Sequence, residues 1–285
     1  MPNIFHLYVT ANEKWHYSRD IQNLLRIRKT FSGVQNVSLF IAISQAKPWG
    51  KIDFLFARII RSIFIKHPSV ALKDIVFKDN VGRDFSSYSI LFDLIKTKTT
   101  EDDYVFFQNR SGCGPFREGW LSAMIQQFEK FNSTRICGIT INFKDHPSRN
   151  LGVNVPHVQT YAFLSKVSAL KMFGEHFPGK NETNKLDIVL KGEIELSKFF
   201  LQKGYGITCL EWPDELVTNN SSPMEFEDVK SASSRQNFFF HKSFFYKNQT
   251  LLLRVWNAAV SILELLTTYF FNIHEKTPLS KKGNL

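Results

Sequence analysis

Five apolar runs, each followed by side chains at helical spacing, confine this chain to one broad class of fold. The runs are 4–9, 37–43, 75–77, 104–107 and 136–141. Between them come Ile21, Leu24 and Leu25, then Ile52, Leu55, Phe56, Ile59, Ile60 and Ile63. Tyr88, Leu91, Phe92 and Ile95 follow, and then Leu121, Met124, Ile125 and Phe128. That spacing marks one buried face of a helix. Strands that are apolar throughout are hidden on both sides, which a parallel sheet between helical layers achieves. The expected architecture is α/β: a Rossmann-like, mostly parallel central sheet flanked by helices. Further on, 157–164 reads as another strand, 186–202 as a helix and 207–210 as a short strand.

With 285 residues, 43% of them hydrophobic and 22% charged, the chain can bury a substantial core. A formal net charge of +10 favours an anionic partner: nucleic acid, an anionic membrane surface or a diphosphate substrate. Cys113, Cys137 and Cys209 are odd in number and far apart, which argues against a zinc site or a disulfide framework and for a reducing compartment. The first residues lack the basic segment of a signal peptide. A cytoplasmic protein, peripheral on the membrane if it touches one, is the expectation.

Two strand ends carry the chemistry. Lys78-Asp79-Asn80-Val81-Gly82-Arg83-Asp84-Phe85 and Tyr104-Val105-Phe106-Phe107-Gln108-Asn109-Arg110-Ser111-Gly112 each run from apolar residues into polar residues and glycine. Ligands of open α/β sheets bind beyond the carboxyl ends of strands. The glycines alone would fit plain turns. Together with the amides, arginines and aspartates beside them, they point to a crevice for phosphate or sugar.

The last third differs. Residues 1–210 read as the catalytic unit and 211–285 as an appendage. Within the appendage, 212–235 is polar and 238–247 interleaves aromatic and basic residues. A long helix is expected over 251–273. There Arg254, Asn257, Ser261, Glu264 and Thr268 form one polar stripe, away from Leu252, Val255, Trp256, Leu263 and Leu266. Such a helix either docks on the protein or lies on a membrane surface. Its length alone would also permit a span.

Four short blocks resemble a known family. Asp79-Asn80-Val81-Gly82-Arg83-Asp84-Phe85, Asn109-Arg110-Ser111 with Gly114-Pro115, His157-Val158-Gln159-Thr160-Tyr161 and Gly192-Glu193-Ile194-Glu195-Leu196-Ser197 look like the rhamnan-synthesis glycosyltransferases of bacteria and related capsular polysaccharide or viral enzymes. The resemblance covers about residues 4–210. It implies a GT-A-like fold and transfer of a sugar from a nucleoside-diphosphate sugar to a hydroxyl of a glycan acceptor, as in polysaccharide biosynthesis by a rhamnosyltransferase-like enzyme. It also implies that Asn80, Gly82, Arg83, Asp84, Asn109, Arg110 and Ser111 bind the donor. His157 and Gln159 would lie beside donor or acceptor sugar; Asp145 is a further candidate there and, with His146, the backup to Glu193 as base. Glu193 would be the general base of an inverting reaction, since an acceptor hydroxyl needs a carboxylate to take its proton.

The family also implies a divalent cation (Mn or Mg) on the donor diphosphate. Here the chain departs, because Arg110 stands where the family has aspartate. A guanidinium has no oxygen to offer a cation but is a good bidentate partner for phosphate. Either Arg110 neutralises the diphosphate directly, or a cation sits on Asp84, Asp102 or Asp103. Two other classes compete with the enzyme. A nucleic-acid-binding protein would explain the charge, though no recognised motif supports it and no nucleic acid is expected. A membrane-associated α/β scaffold without catalysis would explain the loss of the aspartate.

Overall fold

In the computed structural model, residues 2–13, 17–144, 154–221, 236–247 and 249–274 are described. The strands are β1 (Ile4–Ala11), β2 (Val37–Ser44), β3 (Val70–Lys78), β4 (Tyr104–Asn109), β5 (Gly112–Cys113), β6 (Thr134–Gly138), β7 (Ile141–Lys144), β8 (Asn154–Val158), β9 (Ala162–Lys166), β10 (Gly206–Cys209) and β11 (Phe240–His241). The helices are α1 (Ser18–Lys29), α2 (Lys51–Ile63), α3 (Arg83–Ile95), α4 (Trp120–Glu129), α5 (Val167–Lys171), α6 (Lys185–Ile188), α7 (Glu195–Gln202), α8 (Lys242–Lys247) and α9 (Leu251–His274). A π-helical turn, Val189–Ile194, joins α6 to α7.

The central sheet has seven strands in the order β10-β6-β9-β4-β1-β2-β3. All its pairings are parallel except those of β9, which runs against both β4 and β6. The expected mixed α/β class with a mostly parallel sheet is therefore observed. Alternate residues of β1 feed two cores. Phe5, Leu7 and Val9 pack with Phe85, Tyr88 and Leu91 of α3 and Leu196 and Phe200 of α7. Ile4 and Tyr8 pack with residues of α1, α2 and α4, including Leu24, Phe56, Ile60, Trp120 and Met124. Period-two alternation thus buries both faces of the sheet.

Three expectations change. The stretch 157–164 is not one strand: β8 pairs with β7 in a separate hairpin, a turn follows, and only β9 enters the central sheet. On α2, Phe56, Ile60 and Ile63 are buried, but Ile52 and Leu55 of the same periodic set are exposed. Described residues beyond 210 pack against the unit that precedes them. Phe239 is fully buried against Phe106 and Trp120, and β11 pairs with β5 beside the end of β4. Among the described residues, no helix is long and apolar enough to cross a membrane, so the spanning reading of 251–273 falls.

Candidate active site

After β1 the chain adds β2 and β3 on one side, then returns to place β4 on the other side of β1. At such a reversal the loops beyond the carboxyl ends diverge and leave a crevice. A cavity of about 410 Å³ lies there, lined by Asn80, Arg83 and Asp84 after β3 and by Arg110 and Ser111 after β4. Its volume falls within the range of small-molecule sites, about 300–1,000 Å³. Thr10, Glu13, Ser44, Lys185 and Lys242 complete most of its wall.

The β3–α3 turn is built on Gly82. Its φ is +68°, and a Cβ there would lie 2.0 Å from the Lys180 carbonyl oxygen and 2.5 Å from Ser86 Cβ. Only glycine fits. Its N–H donates to the Glu182 carbonyl oxygen at 2.9 Å, which fastens the turn to the segment before α6. Arg83 then also takes a positive φ, 44°, which is costly for a residue with a Cβ. Gly82 itself is buried; it shapes the turn that puts Arg83 and Asp84 on the cavity wall.

Asn109 joins the two blocks. Its Nδ2 donates to Asp84 Oδ2 at 2.9 Å, and its Oδ1 accepts from the Ser111 N–H at 2.8 Å. Burial raises the Asp84 pKa, against the opposing bond from Asn109 and the charges of Arg110, Lys242 and Arg83. Arg110 is partly committed elsewhere. Its Nε and Nη2 each lie 2.8 Å from Oδ2 of Asp20, and Nη2 also donates to the Ala11 carbonyl oxygen. Asp20 is fully buried and accepts from the Tyr8 hydroxyl at 2.9 Å. Arg110 therefore presents an oriented cation to the cavity while it neutralises a buried carboxylate.

Glu193 lies close enough to Asp84 for their charges to interact. The π turn carries it, and such turns are frequent at functional sites. Gly192 allows the approach: a Cβ there would meet the Phe85 ring at 2.7 Å. Glu193 Oε1 accepts from Gln159 Nε2 at 3.0 Å. Its pKa is pushed up to about 7, first by burial and then by the negative charge of Asp84, with a bond from the Thr160 backbone opposing. Glu193 is half-buried and stands beside Asp84 rather than on the cavity wall.

Other expected site residues lie apart. His157 is buried in β8, with Nδ1 2.7 Å from the Val155 carbonyl oxygen, and Gln159 bonds to Glu193 rather than lining the cavity. Asp102 and Asp103 precede β4, at the end of the strand away from Asn109. Neither can share a ligand with Asp84, since six strand residues span about 17–20 Å. Asp145 and His146 fall outside the described residues.

Sequence reasoning missed Lys185 and Lys242. Lys242 opens α8, and its N–H donates to the Ser111 carbonyl oxygen at 2.8 Å, so the C-terminal strap delivers a cation to the loop after β4. Burial lowers its pKa, as does the charge of Arg19. The interleaved aromatic and basic residues of 238–247 carried the signal: the aromatics anchor and the lysine faces the cavity. A smaller cavity of about 180 Å³ shares Arg110 and Lys242 and adds Arg19, Tyr246 and Arg254.

Arg83, Arg110, Lys185 and Lys242 outnumber Asp84 and Glu13 on the main wall. Such a wall suits a ligand with two negative charges. The residues do not fit a divalent cation held by protein alone. Arg110 has no lone pair to give, Asp84 is tied to Asn109, and no cluster of three or more His, Cys, Asp or Glu ligands exists among the described residues.

No family model and no curated protein matches this chain. Solved structures resemble it distantly. The bifunctional glycosyltransferase WbbM, in its apo form, is 11% identical with a TM-score of 0.47 over 84% of this chain, which spans 45% of that one. The mannosyltransferase PcManGT from Pyrobaculum calidifontis, in complex with GDP-Man and Mn2+, is 10% identical with a TM-score of 0.46, over 100% of this chain and 77% of that one. A 4-diphosphocytidyl-2C-methyl-D-erythritol synthase is 13% identical with a TM-score of 0.42, over 81% and 95%. More than one reaction class is represented among them, and none assigns a residue of this chain.

Proposed function

We propose that this chain is a glycosyltransferase that moves a sugar from a nucleoside-diphosphate sugar to a hydroxyl of a glycan acceptor. The observation that carries the reading is the basic cavity at the carboxyl ends of β1 and β4, with a carboxylate of raised pKa beside it. The donor diphosphate lies among Arg83, Arg110, Lys185 and Lys242, where charge-assisted hydrogen bonds are strongest. Asn80, Asp84, Asn109 and Ser111 hold the sugar and the near phosphate. Glu193 takes the acceptor proton as the hydroxyl oxygen attacks the anomeric carbon. A new C–O bond forms, the bond from that carbon to the diphosphate oxygen breaks, and the nucleoside diphosphate leaves with the electron pair. Cations around the leaving group stabilise the charge it gains. Configuration inverts, because one displacement occurs.

The resemblance to rhamnan-synthesis and capsular enzymes supports a polysaccharide acceptor, and it rests on the four sequence blocks alone. A divalent cation, where one takes part, supplies further charge on the diphosphate; Arg110 and its neighbours meet that need from the protein. The test is transfer and donor hydrolysis with a panel of nucleotide sugars, with and without chelator. Release of nucleoside diphosphate that persists in EDTA is the expected outcome. Loss of all activity in EDTA, restored by manganese, would remove the charge-neutralising role of Arg110. A chain that neither binds nor turns over any donor of the panel is not this enzyme.

A further inference from the structure

α9 is turned inside out. Among its described side chains, the half-buried and buried ones are Asn257, Ala258, Ser261, Glu264, Leu265, Thr268 and Tyr269, the side toward α1 and α2. That side is mostly polar and is clamped by an ion pair of 2.5 Å between Lys29 of α1 and Glu264. Arg254 adds a bond to the Tyr246 carbonyl oxygen. The opposite side is apolar and faces out. Leu252 is 83% exposed, Trp256 67%, Leu263 64% and Val255 60%, and Val260, Ile262 and Leu266 are exposed beside them. A docked helix of a soluble domain normally buries its apolar stripe. Contiguous exposed apolar surface of this extent marks an interaction site. α2, on which α9 packs, also exposes Ile52, Phe54 and Leu55.

We propose that the outward face of α9 seats this protein on an anionic lipid bilayer, with the helix lying in the interface plane. Charge selects the occupant. The chain carries a net +10, and Lys51 and Arg58 are exposed on α2 next to the apolar side chains, with Arg61 beside them paired to Asp74. Cations flanking an apolar helical face are the pattern of interfacial binding, and an amphipathic Trp such as Trp256 suits the headgroup level. Anionic headgroups attract such cations within a Debye length. A second protein copy would instead bring the same cations against one another. Among the described residues, no helix is long and apolar enough to cross a membrane. The polar stripe, held by Lys29, keeps the apolar face outward, so no refolding is needed before docking.

The experiment is co-sedimentation of the full chain with vesicles of phosphatidylcholine, with and without phosphatidylglycerol. The chain should pellet with the anionic vesicles, less so in high salt, and the Trp fluorescence should shift to the blue. The double variant Trp256→Glu and Leu263→Glu should lower the partition coefficient by about tenfold or more. Both positions are exposed, so an unchanged melting temperature confirms that the variant folds. Conservative Leu263→Ile should bind like the parent. A parent chain that stays in the supernatant with both vesicle types overturns the proposal, and so does a folded double variant that pellets as the parent does. Size-exclusion chromatography separates the alternative: a parent dimer that the double variant turns into a monomer, with no vesicle binding by either, assigns the face to self-association.

Discussion

The two ends of β4 make opposite uses of acidic residues. At the amino end Asp103 is 1% exposed and accepts from the Asn3 N–H at 2.6 Å and the Thr100 N–H at 2.8 Å. Glu129 there pairs with Lys166 at 2.7 Å and accepts from the Tyr104 hydroxyl. Desolvation opposes the ionisation of both acids, yet these bonds prevail and lower their pKa values. A cavity of about 290 Å³ exists at that end too. At the carboxyl end Asp84 and Glu193 have raised pKa values and the cations face open space. Cavity volume does not distinguish the two ends; the direction in which the pKa values of their acids move does. The amino end holds the fold together, and the proposed donor site lies at the carboxyl end.

The sharpest way to break this contrast is Glu193→Gln. It should lower kcat by about 10²–10⁴-fold, the usual worth of a general base, with nucleotide affinity nearly unchanged. The activity of the parent should also fall as pH drops below about 7, because the base must be ionised. A pH–rate profile without that acidic limb would reassign the base. Next comes Arg110→Met. It strands the fully buried Asp20, and breaking a buried pair costs about 3–5 kcal/mol in a denaturant titration. A loss below about 1 kcal/mol would show that Asp20 does not depend on Arg110. Gly82→Ala should cost about 1–3 kcal/mol through its left-handed φ alone, more with the clash at Lys180, and should weaken nucleotide binding as well.

Asp103→Asn should cost about 1–3 kcal/mol, because buried donors lose a charged acceptor, yet leave KM for the donor unchanged. A large KM effect would dissolve the distinction between the ends. The finest probe is the sign of the pH dependence. Asp103 has a lowered pKa, so its stabilisation is present above the unfolded carboxylate range and is lost as pH falls through the folded value. Glu193 runs the other way: its contribution is full below 4.5 and is lost as pH rises through about 7. Glu193→Gln should therefore raise stability at pH 8 by about 1–3 kcal/mol and change little at pH 4. Thermal melts of parent and variant at both pH values check this.

Much of this contrast was legible before any coordinates. Apolar strand runs and helical spacing revealed the α/β class, because burial on both faces leaves few alternatives. Gly82 and Asn109 stood out because polar and glycine residues ended apolar runs. Reversal of β9 was hidden: a short turn at Gln159–Tyr161 interrupts residues that read as one strand, and chain direction leaves no mark in periodicity. Lys242 was hidden for a different reason. It depends on a two-residue pairing between β5 and β11, more than 120 residues apart in sequence, and so short a ladder has no sequence signature. α2 misled because Ile52 and Leu55 obey the spacing of a buried face but extend past the core that covers it.

Calorimetric titration of nucleoside diphosphates into the parent chain and into Lys242→Ala tests the central claim most directly. Lys242 lines the cavity, and its hydrogen bond to Ser111 comes from the backbone N–H, so loss of the side chain should leave the fold intact. Saturable binding of at least one nucleoside diphosphate, weakened about tenfold or more in the variant, is the expected result. Equal affinity in both proteins, or no binding heat with any nucleotide, would contradict a diphosphate site at the carboxyl end of β4.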